Sequence, residues 1–377
     1  MKKILFLPLL RMQSGHHQVA DALIDMLHAR INGIICKKID LISYTNESLE
    51  KVVTSSYLSW IRYAPETYNF AYKNFFYDTR ANARLIKWYN LIFFKKMEQL
   101  LRHERPDLIV CTHGYPSYLL SQLKKQGKCH VPIINVYTDF FINSVWGREG
   151  IDFHFLPSQE VKEQLIRKNQ VPKHRMVVTG IPVHEEITKT VRFKQCNNRP
   201  IILIAGGNSG LGGMLELSQA LKDAEYFDFV VLCGKNQKLY DDILSWNNSH
   251  IQPLSYVSSR SEMDALYEQV DAIITKPGGV TVSEAIKKRL PIIVHSFLPG
   301  QEEINLHYLT KSELVFTLEQ NQPFEKQLLR LLKTNQKVNR WNLAVDTYEK
   351  GIEIGPNRMV EVITSMIGLQ MDSSSVV

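Results

Sequence analysis

Short apolar runs rich in Ile and Val recur along the chain, and between them the apolar positions return at helical spacing. In the first half the runs are KILFLPL (3–9), DLIVCT (107–112), PIINVYT (132–138) and RMVVTG (175–180). In the second half they are PIILIAG (200–206), FDFVVLCG (227–234), DAIIT (271–275) and PIIVHS (291–296). None alternates strictly with polar residues, so each reads as a strand covered on both faces, as in a parallel sheet. Strands alternating with helices predict βα units and an α/β fold of two doubly wound, Rossmann-like domains. A length of 377 residues, too long for one ordinary core, agrees with two.

The polar, unperiodic stretch IPVHEEITKTVRFKQCNNR (181–199) separates the two sets of strands. The expected organisation is a first domain over 1–182, a linker over 183–199, a second domain over 200–340, and helices over 341–377 that return to the first domain. The opening MKKILFLPLLR imitates a secretion signal, but Arg11 ends the apolar run and no small-residue cleavage site follows. It is read as the first buried strand.

Composition changes this picture little. Five cysteines stand apart, without CxxC or zinc spacing, so no disulfide framework, metal or cofactor is expected and a reducing cytoplasm fits. The net charge of +7 is concentrated: residues 51–105 carry ten Lys or Arg against four Asp or Glu. The same segment holds thirteen of the 37 aromatics, including Trp60, Phe75, Phe76, Trp88 and Phe93 beside Lys95 and Lys96. Aromatic and basic residues interleaved in this way suit an anionic membrane surface, with packing on the domain core as the alternative. No nucleic-acid reading motif accompanies the charge, so no nucleic-acid partner is expected.

Candidate chemistry lies in the strand-to-helix loops. AGGNSGLGG (205–213) and KPGGVTVSE (276–284) are glycine-rich, so backbone amides at a helix start can cradle a phosphate, or the loops are simply tight turns. Thr281 and Glu284 have capping-box spacing; alternatively Glu284 faces the crevice and accepts ribose hydroxyls. PGQEEIN (299–305) opens on the same rim and offers Gln301, Glu302 and Asn305 to sugar hydroxyls. In the first half QSGHHQVADAL places Gly15, His16 and His17 where strand gives way to helix, and a histidine kept neutral there suits a general base. THGYPS and YTDFF bring His113 and Asp139 to the ends of the next two strands.

In this order the pieces ITKPGGVTVSEA, PGQEEIN, CGKN, TGIP, YTDF and GHHQVA resemble the glycosyltransferases of the monogalactosyldiacylglycerol synthase type, particularly the processive diacylglycerol glucosyltransferases. The resemblance implies the GT-B arrangement of glycosyltransferase family 28, in which two Rossmann-like domains face each other across a cleft. It implies an inverting transfer of a hexose from a UDP-sugar to diacylglycerol or a glycosyl-diacylglycerol, on the inner face of the cell membrane. By the same resemblance Gly207, Asn208, Ser209, Gly210, Lys235, Asn236, Lys276, Gly278, Gly279, Thr281 and Glu284 hold the nucleotide, and Gln301, Glu302 and Asn305 the sugar. His16 is then the base and Asp139 its orienting partner, with Trp60, Phe75, Phe76, Trp88, Phe93, Lys95, Lys96 and His113 on the acceptor and membrane side. The chain has no DxD, consistent with a leaving diphosphate stabilised by amides and a helix dipole. It departs from the family pattern at Gln13, Asn143 and His184, all toward the acceptor side or the junction. The alternatives are transfer to a polyprenyl-linked or soluble acceptor, and a nucleotide-sugar-binding protein without catalysis.

Overall fold

The computed structural model describes residues 1–9, 14–45, 85–169, 171–190, 199–206, 214–319 and 321–369. They form two compact units, Met1–His184 together with Gly351–Val377, and Glu185–Lys350. The return into the first unit therefore comes after Lys350 rather than after 340. The helix Asn335–Lys350 runs through that expected boundary, and within the second unit Trp341 is buried with its Nε1 donating to the Leu314 carbonyl at 2.8 Å.

In unit 1, β1 (Lys2–Leu7), β2 (Ile34–Lys38), β3 (Leu108–Cys111), β4 (Ile133–Val136), β5 (Phe153–Leu156) and β6 (Met176–Val178) form one sheet. Its order is β2-β1-β3-β4-β5-β6, parallel throughout. Around it lie α1 (Gly15–His28), α2 (Leu41–Thr45), α3 (Leu85–Glu104), α4 (Gly114–Lys125) and α5 (Gln159–Asn169). In unit 2, β7 (Ile201–Ala205), β8 (Asp228–Leu232), β9 (Ile251–Leu254), β10 (Ala272–Thr275), β11 (Ile292–Val294) and β12 (Phe316–Thr317) are ordered β12-β11-β10-β7-β8-β9, again all parallel. Its helices are α6 (Met214–Lys222), α7 (Gln237–Ser245), α8 (Arg260–Gln269), α9 (Gly279–Lys287), α10 (Gln301–Lys311), α11 (Phe324–Leu332) and α12 (Asn335–Lys350). The last helix, α13 (Pro356–Ser365), belongs to unit 1.

The central strands β3, β4 and β10 are buried at every position, as apolar runs without alternation require. Four strands escape the apolar-run criterion for identifiable reasons. β2 and β9 are edge strands with alternating exposure, and β9 contains Pro253, which only an edge tolerates. β5 carries a histidine in its interior, and β12 has only two residues.

Residues 185–190 are part of unit 2 rather than a free linker. The buried Lys288 ammonium lies 2.9 Å from Asp264 Oδ1 and donates to Thr188 Oγ1 at 3.1 Å, with Glu268 as a further partner, while Thr190 N donates to the Lys287 carbonyl. On the other crossing, Glu353 accepts from Lys162 Nζ, Gln159 Nε2 and the Val178 amide, which fastens 351–355 to unit 1.

Candidate active site

Open α/β sheets bind ligands beyond the carboxyl ends of their strands, where the strand order reverses. In unit 1 that point lies between β1 and β3. His16 stands in the first turn of α1 after β1, His113 is the N-cap of α4 after β3, and Thr138 and Asp139 follow β4. These groups meet. His16 Nδ1 is 2.8 Å from Thr138 Oγ1, and the His16 and His113 rings pack edge to face with centroids 4.6 Å apart. Burial lowers the His16 pKa from its ordinary 6.5, outweighing the Asp139 carboxylate and a hydrogen bond to the Thr112 backbone, so the ring is neutral at pH 7.

The two histidines of the GHH turn have different employment. His17 is buried, with Nε2 2.8 Å from Asp40 Oδ1 and Nδ1 3.3 Å from Ser14 Oγ, so both nitrogens are engaged. It ties α1 to the end of β2. His113 Nδ1 accepts the Tyr115 amide at 3.0 Å, and burial holds its pKa well below the ordinary value. A neutral ring that accepts at Nδ1 must carry its proton on Nε2, so His113 offers a fixed N–H donor beside His16.

A buried polar layer supports the β4 loop. The Tyr137 hydroxyl is 3.0 Å from His154 Nδ1, its ring packs on Trp146 at 4.4 Å, and Asn135 Nδ2 donates to the Gly147 carbonyl at 2.9 Å. Gly147 is required by close approach: a Cβ there would lie 2.5 Å from the Ser117 carbonyl oxygen. Burial lowers the His154 pKa to about 3. Because His16, His113 and His154 all titrate below 6.5 in the folded chain, the unfolded chain binds more protons beneath that pH. Stability is thus complete above pH 6.5 and falls on acidification, by about 1.4 kcal/mol per pH unit for each histidine still neutral in the fold. Glu104 and Glu353, where the bonds from Lys37 and Lys162 outweigh burial, are held below 4.5, so their contribution fails at lower pH. Denaturant melts between pH 7.5 and 5 should show the histidine slope; a flat profile there would contradict it.

In unit 2 the strand order reverses between β7 and β10. A depression there is lined by Ala205, Gly206, Thr275, Lys276, His295 and Ser296. Gly278 is the extended N-cap of α9, and a Cβ on it would meet nothing within 4 Å, so the amides of Gly279, Val280 and Thr281 begin the helix behind open space. The capping box expected from Thr281 and Glu284 is not formed. The helix starts at Gly279, which puts Glu284 in the second turn, buried, with Oε2 accepting from the Tyr267 hydroxyl at 2.9 Å. Lys276 Nζ lies 3.7 Å from Glu302 Oε1, and Glu302 Oε2 accepts the Leu298 amide at 2.6 Å. Gln301 opens α10, whereas Asn305 is only 1% exposed. Lys235 is exposed over the Tyr256 ring, and Asn236 caps α7 through the Leu239 amide. Gly207, Asn208, Ser209 and Gly210 lie outside the described residues.

On the membrane side the structure revises one expectation. Phe93 is 6% exposed and packs edge to face on Tyr115, because α3 turns that face toward the unit 1 core. Lys95 is exposed and Lys96 half-buried, while Trp60, Phe75, Phe76 and the Trp88 side chain lie outside the described residues. Among the described residues no helix is long and apolar enough to cross a membrane, and no cluster of three His, Cys, Asp or Glu is placed to hold a metal. Of the departures, Asn143 Oδ1 accepts the Val145 amide and His184 Nε2 meets Asp25 Oδ2 at 2.7 Å; Gln13 lies outside the described residues. Thr138 went unmarked in the sequence because the neighbouring Asp139 carries the titratable group, and nothing local distinguishes the hydroxyl that reaches His16.

The monogalactosyldiacylglycerol (MGDG) synthase family matches residues 16–183. The chain is 37% identical over 376 residues to an uncharacterized glycosyltransferase, YkoN, of Bacillus subtilis (strain 168), covering 99% of each. It is 31% identical to a processive diacylglycerol beta-glucosyltransferase of Bacillus cereus (strain G9842), over 79% of this chain and 77% of that one. The chain belongs to the monogalactosyldiacylglycerol synthase-type glycosyltransferases of family 28. Members of such a family are enzymes, and the fold is the GT-B fold of paired Rossmann-like units. Acinetobacter baumannii MurG, at 16% identity, superposes with a TM-score of 0.60 over 97% of this chain and 100% of its own. The co-structure of S. aureus MnaA with UDP does so with a TM-score of 0.62 over 98% of each chain, also at 16% identity. As a family 28 glycosyltransferase the chain thus carries its family-matched residues 16–183 wholly in unit 1, where His16 and His113 stand.

Proposed function

We propose that the protein is an inverting hexosyltransferase that moves a sugar from a UDP-sugar to diacylglycerol or a glycosyl-diacylglycerol at a membrane surface. The observation that carries this reading is a neutral His16, oriented by a hydroxyl, beside the fixed His113 N–H at the switch point of unit 1. The B. cereus relative's name supplies the acceptor class.

An acceptor hydroxyl is a weak nucleophile at neutral pH. In the proposed step its proton passes to His16 as the acceptor oxygen bonds the anomeric carbon from the face opposite UDP. The bond from that carbon to the β-phosphate oxygen breaks, and its electron pair leaves with UDP. The amides at the start of α9, with the helix dipole and Lys276, are suited to that charge. Gly207, Asn208, Ser209 and Gly210 complete the phosphate cradle in this reading, Glu284 takes the ribose, and Gln301 and Glu302 the sugar.

Incubation with labelled UDP-glucose, UDP-galactose and UDP-N-acetylglucosamine in diacylglycerol vesicles should give a lipid-linked hexose from one donor. UDP-sugar bound without turnover, or sugar moved only to a polyprenyl or soluble acceptor, would overturn the assignment. The membrane side has its own test on the inner-leaflet surface the reading requires. Replacing both Lys95 and Lys96 by Glu should weaken co-sedimentation with anionic vesicles, each basic residue near the surface being worth about 1 kcal/mol. Binding indifferent to this change and to salt would contradict it.

A further inference from the structure

The family-based expectation gives the orienting of the base to Asp139. The short contact in the structure is instead with a neutral group, the Thr138 hydroxyl, 2.8 Å from His16 Nδ1. We propose that Thr138 is the positioning residue of the reaction, the group that fixes the ring orientation of His16; this rests on His16 being the base.

Two features make the hydroxyl a fixed reference rather than a rotor in solvent. Thr138 is 4% exposed. It also directly follows Tyr137, which is fully buried and clamped between His154 Nδ1 at 3.0 Å and the Trp146 ring at 4.4 Å. From the other side the His16 ring rests edge to face against His113, and His113 is itself locked by the Tyr115 amide at 3.0 Å. A ring held at Nδ1 by one neighbour and packed against the ring of another is restricted in its orientation. The Thr138 hydroxyl can donate to Nδ1 or accept from it, so it anchors the ring in either tautomer, and the Thr112 backbone is a second partner of the ring. The Asp139 charge reaches the same ring and favours the imidazolium formed during transfer, so the two adjacent residues divide the work. Thr138 sets the geometry before the proton moves, and Asp139 stabilises the charge once it has.

The chemistry is strict about the functional group: Ser can replace Thr, whereas Val, its near-isostere, cannot. In the full-length enzyme Thr138→Val should lower kcat on the order of 10²-fold, the scale of a small misplacement of a catalytic group, with the KM for the UDP-sugar unchanged. Thr138→Ser should recover most of that loss. In ¹⁵N spectra of histidine-labelled protein, with the His16 resonances assigned by their loss in His16→Ala, the wild type should show one sharp set of ring nitrogens and Thr138→Val a set shifted or broadened by loss of the Nδ1 partner. Thr138→Ala gives the same comparison with less crowding should Val disturb folding. Full turnover and unchanged His16 ring-nitrogen resonances in Thr138→Val or Thr138→Ala would overturn the proposal, as would a Ser variant no better than Val. The two readings separate through His16→Ala: an inactive His16→Ala beside a normal Thr138→Val sinks the role of Thr138 alone, whereas a fully active His16→Ala removes the base and Thr138's role with it.

Discussion

His16→Ala is expected to lower turnover by roughly 10²–10⁴-fold, the usual worth of a positioned general base, while UDP affinity stays at its wild-type value. Affinity is spared because His16 belongs to unit 1, and the loops assigned to the nucleotide belong to unit 2. His17→Ala tests the neighbour and should act differently. His17 joins Ser14 to Asp40, so its loss should lower the melting temperature and affect turnover only through disorder at the start of α1. Since burial lowers the His16 pKa from 6.5, the acid limb of kcat/KM should lie below pH 6.5, with activity retained at and above it. Single-turnover kinetics across pH 5–8 beside UDP titrations decide the matter. Full activity in His16→Ala, or an acid limb above 6.5, would place the base elsewhere.

The second large effect concerns Glu284. Its carboxylate is buried and accepts the hydroxyl of Tyr267, whose pKa burial and the Glu284 charge hold well above 10, so the tyrosine remains a donor. Glu284→Ala should therefore have two consequences. Loss of charge-assisted bonds to a ribose should weaken UDP binding by about 1.5–3 kcal/mol, and the orphaned Tyr267 hydroxyl should destabilise unit 2 by about 1–3 kcal/mol. Glu284→Gln separates them. It keeps an acceptor for Tyr267, so the melting temperature should stay near wild type, while the lost charge weakens UDP by roughly tenfold, about 1.4 kcal/mol. Calorimetry with UDP reads the result, and an unchanged dissociation constant in Glu284→Gln would reduce Glu284 to a support for Tyr267.

The legibility of this chain follows burial. Apolar runs such as LIVC and AIIT are strands covered on both faces, and their lack of alternation marked them, as it marked the two doubly wound units. Strands at sheet edges carry half their residues outward, and the lysines of β2 or the Pro253 of β9 break the pattern that would disclose them. The placement of candidate groups was readable where a titratable residue follows an apolar strand, as His16, His113 and Asp139 follow β1, β3 and β4. It was unreadable where a long-range contact gives a residue its meaning. Tyr267 is seventeen residues from Glu284, and Thr138 is 122 from His16. The same blindness misread Phe93, whose aromatic and basic neighbours suggest an interface although its helix turns it toward the core.

The chain enters unit 2 once, at Glu185, and leaves it once, at Lys350, so that unit is a continuous passage inserted within the other. Unit 1 is the discontinuous one. A fragment ending at His184 would lack α13, with the buried Met359, Val360 and Ile363, and would also lack Glu353, which holds Lys162 and Val178. Modularity here is therefore lopsided. The stretch from 185 to 350 is one uninterrupted segment, whereas the other unit is a frame whose two ends belong together.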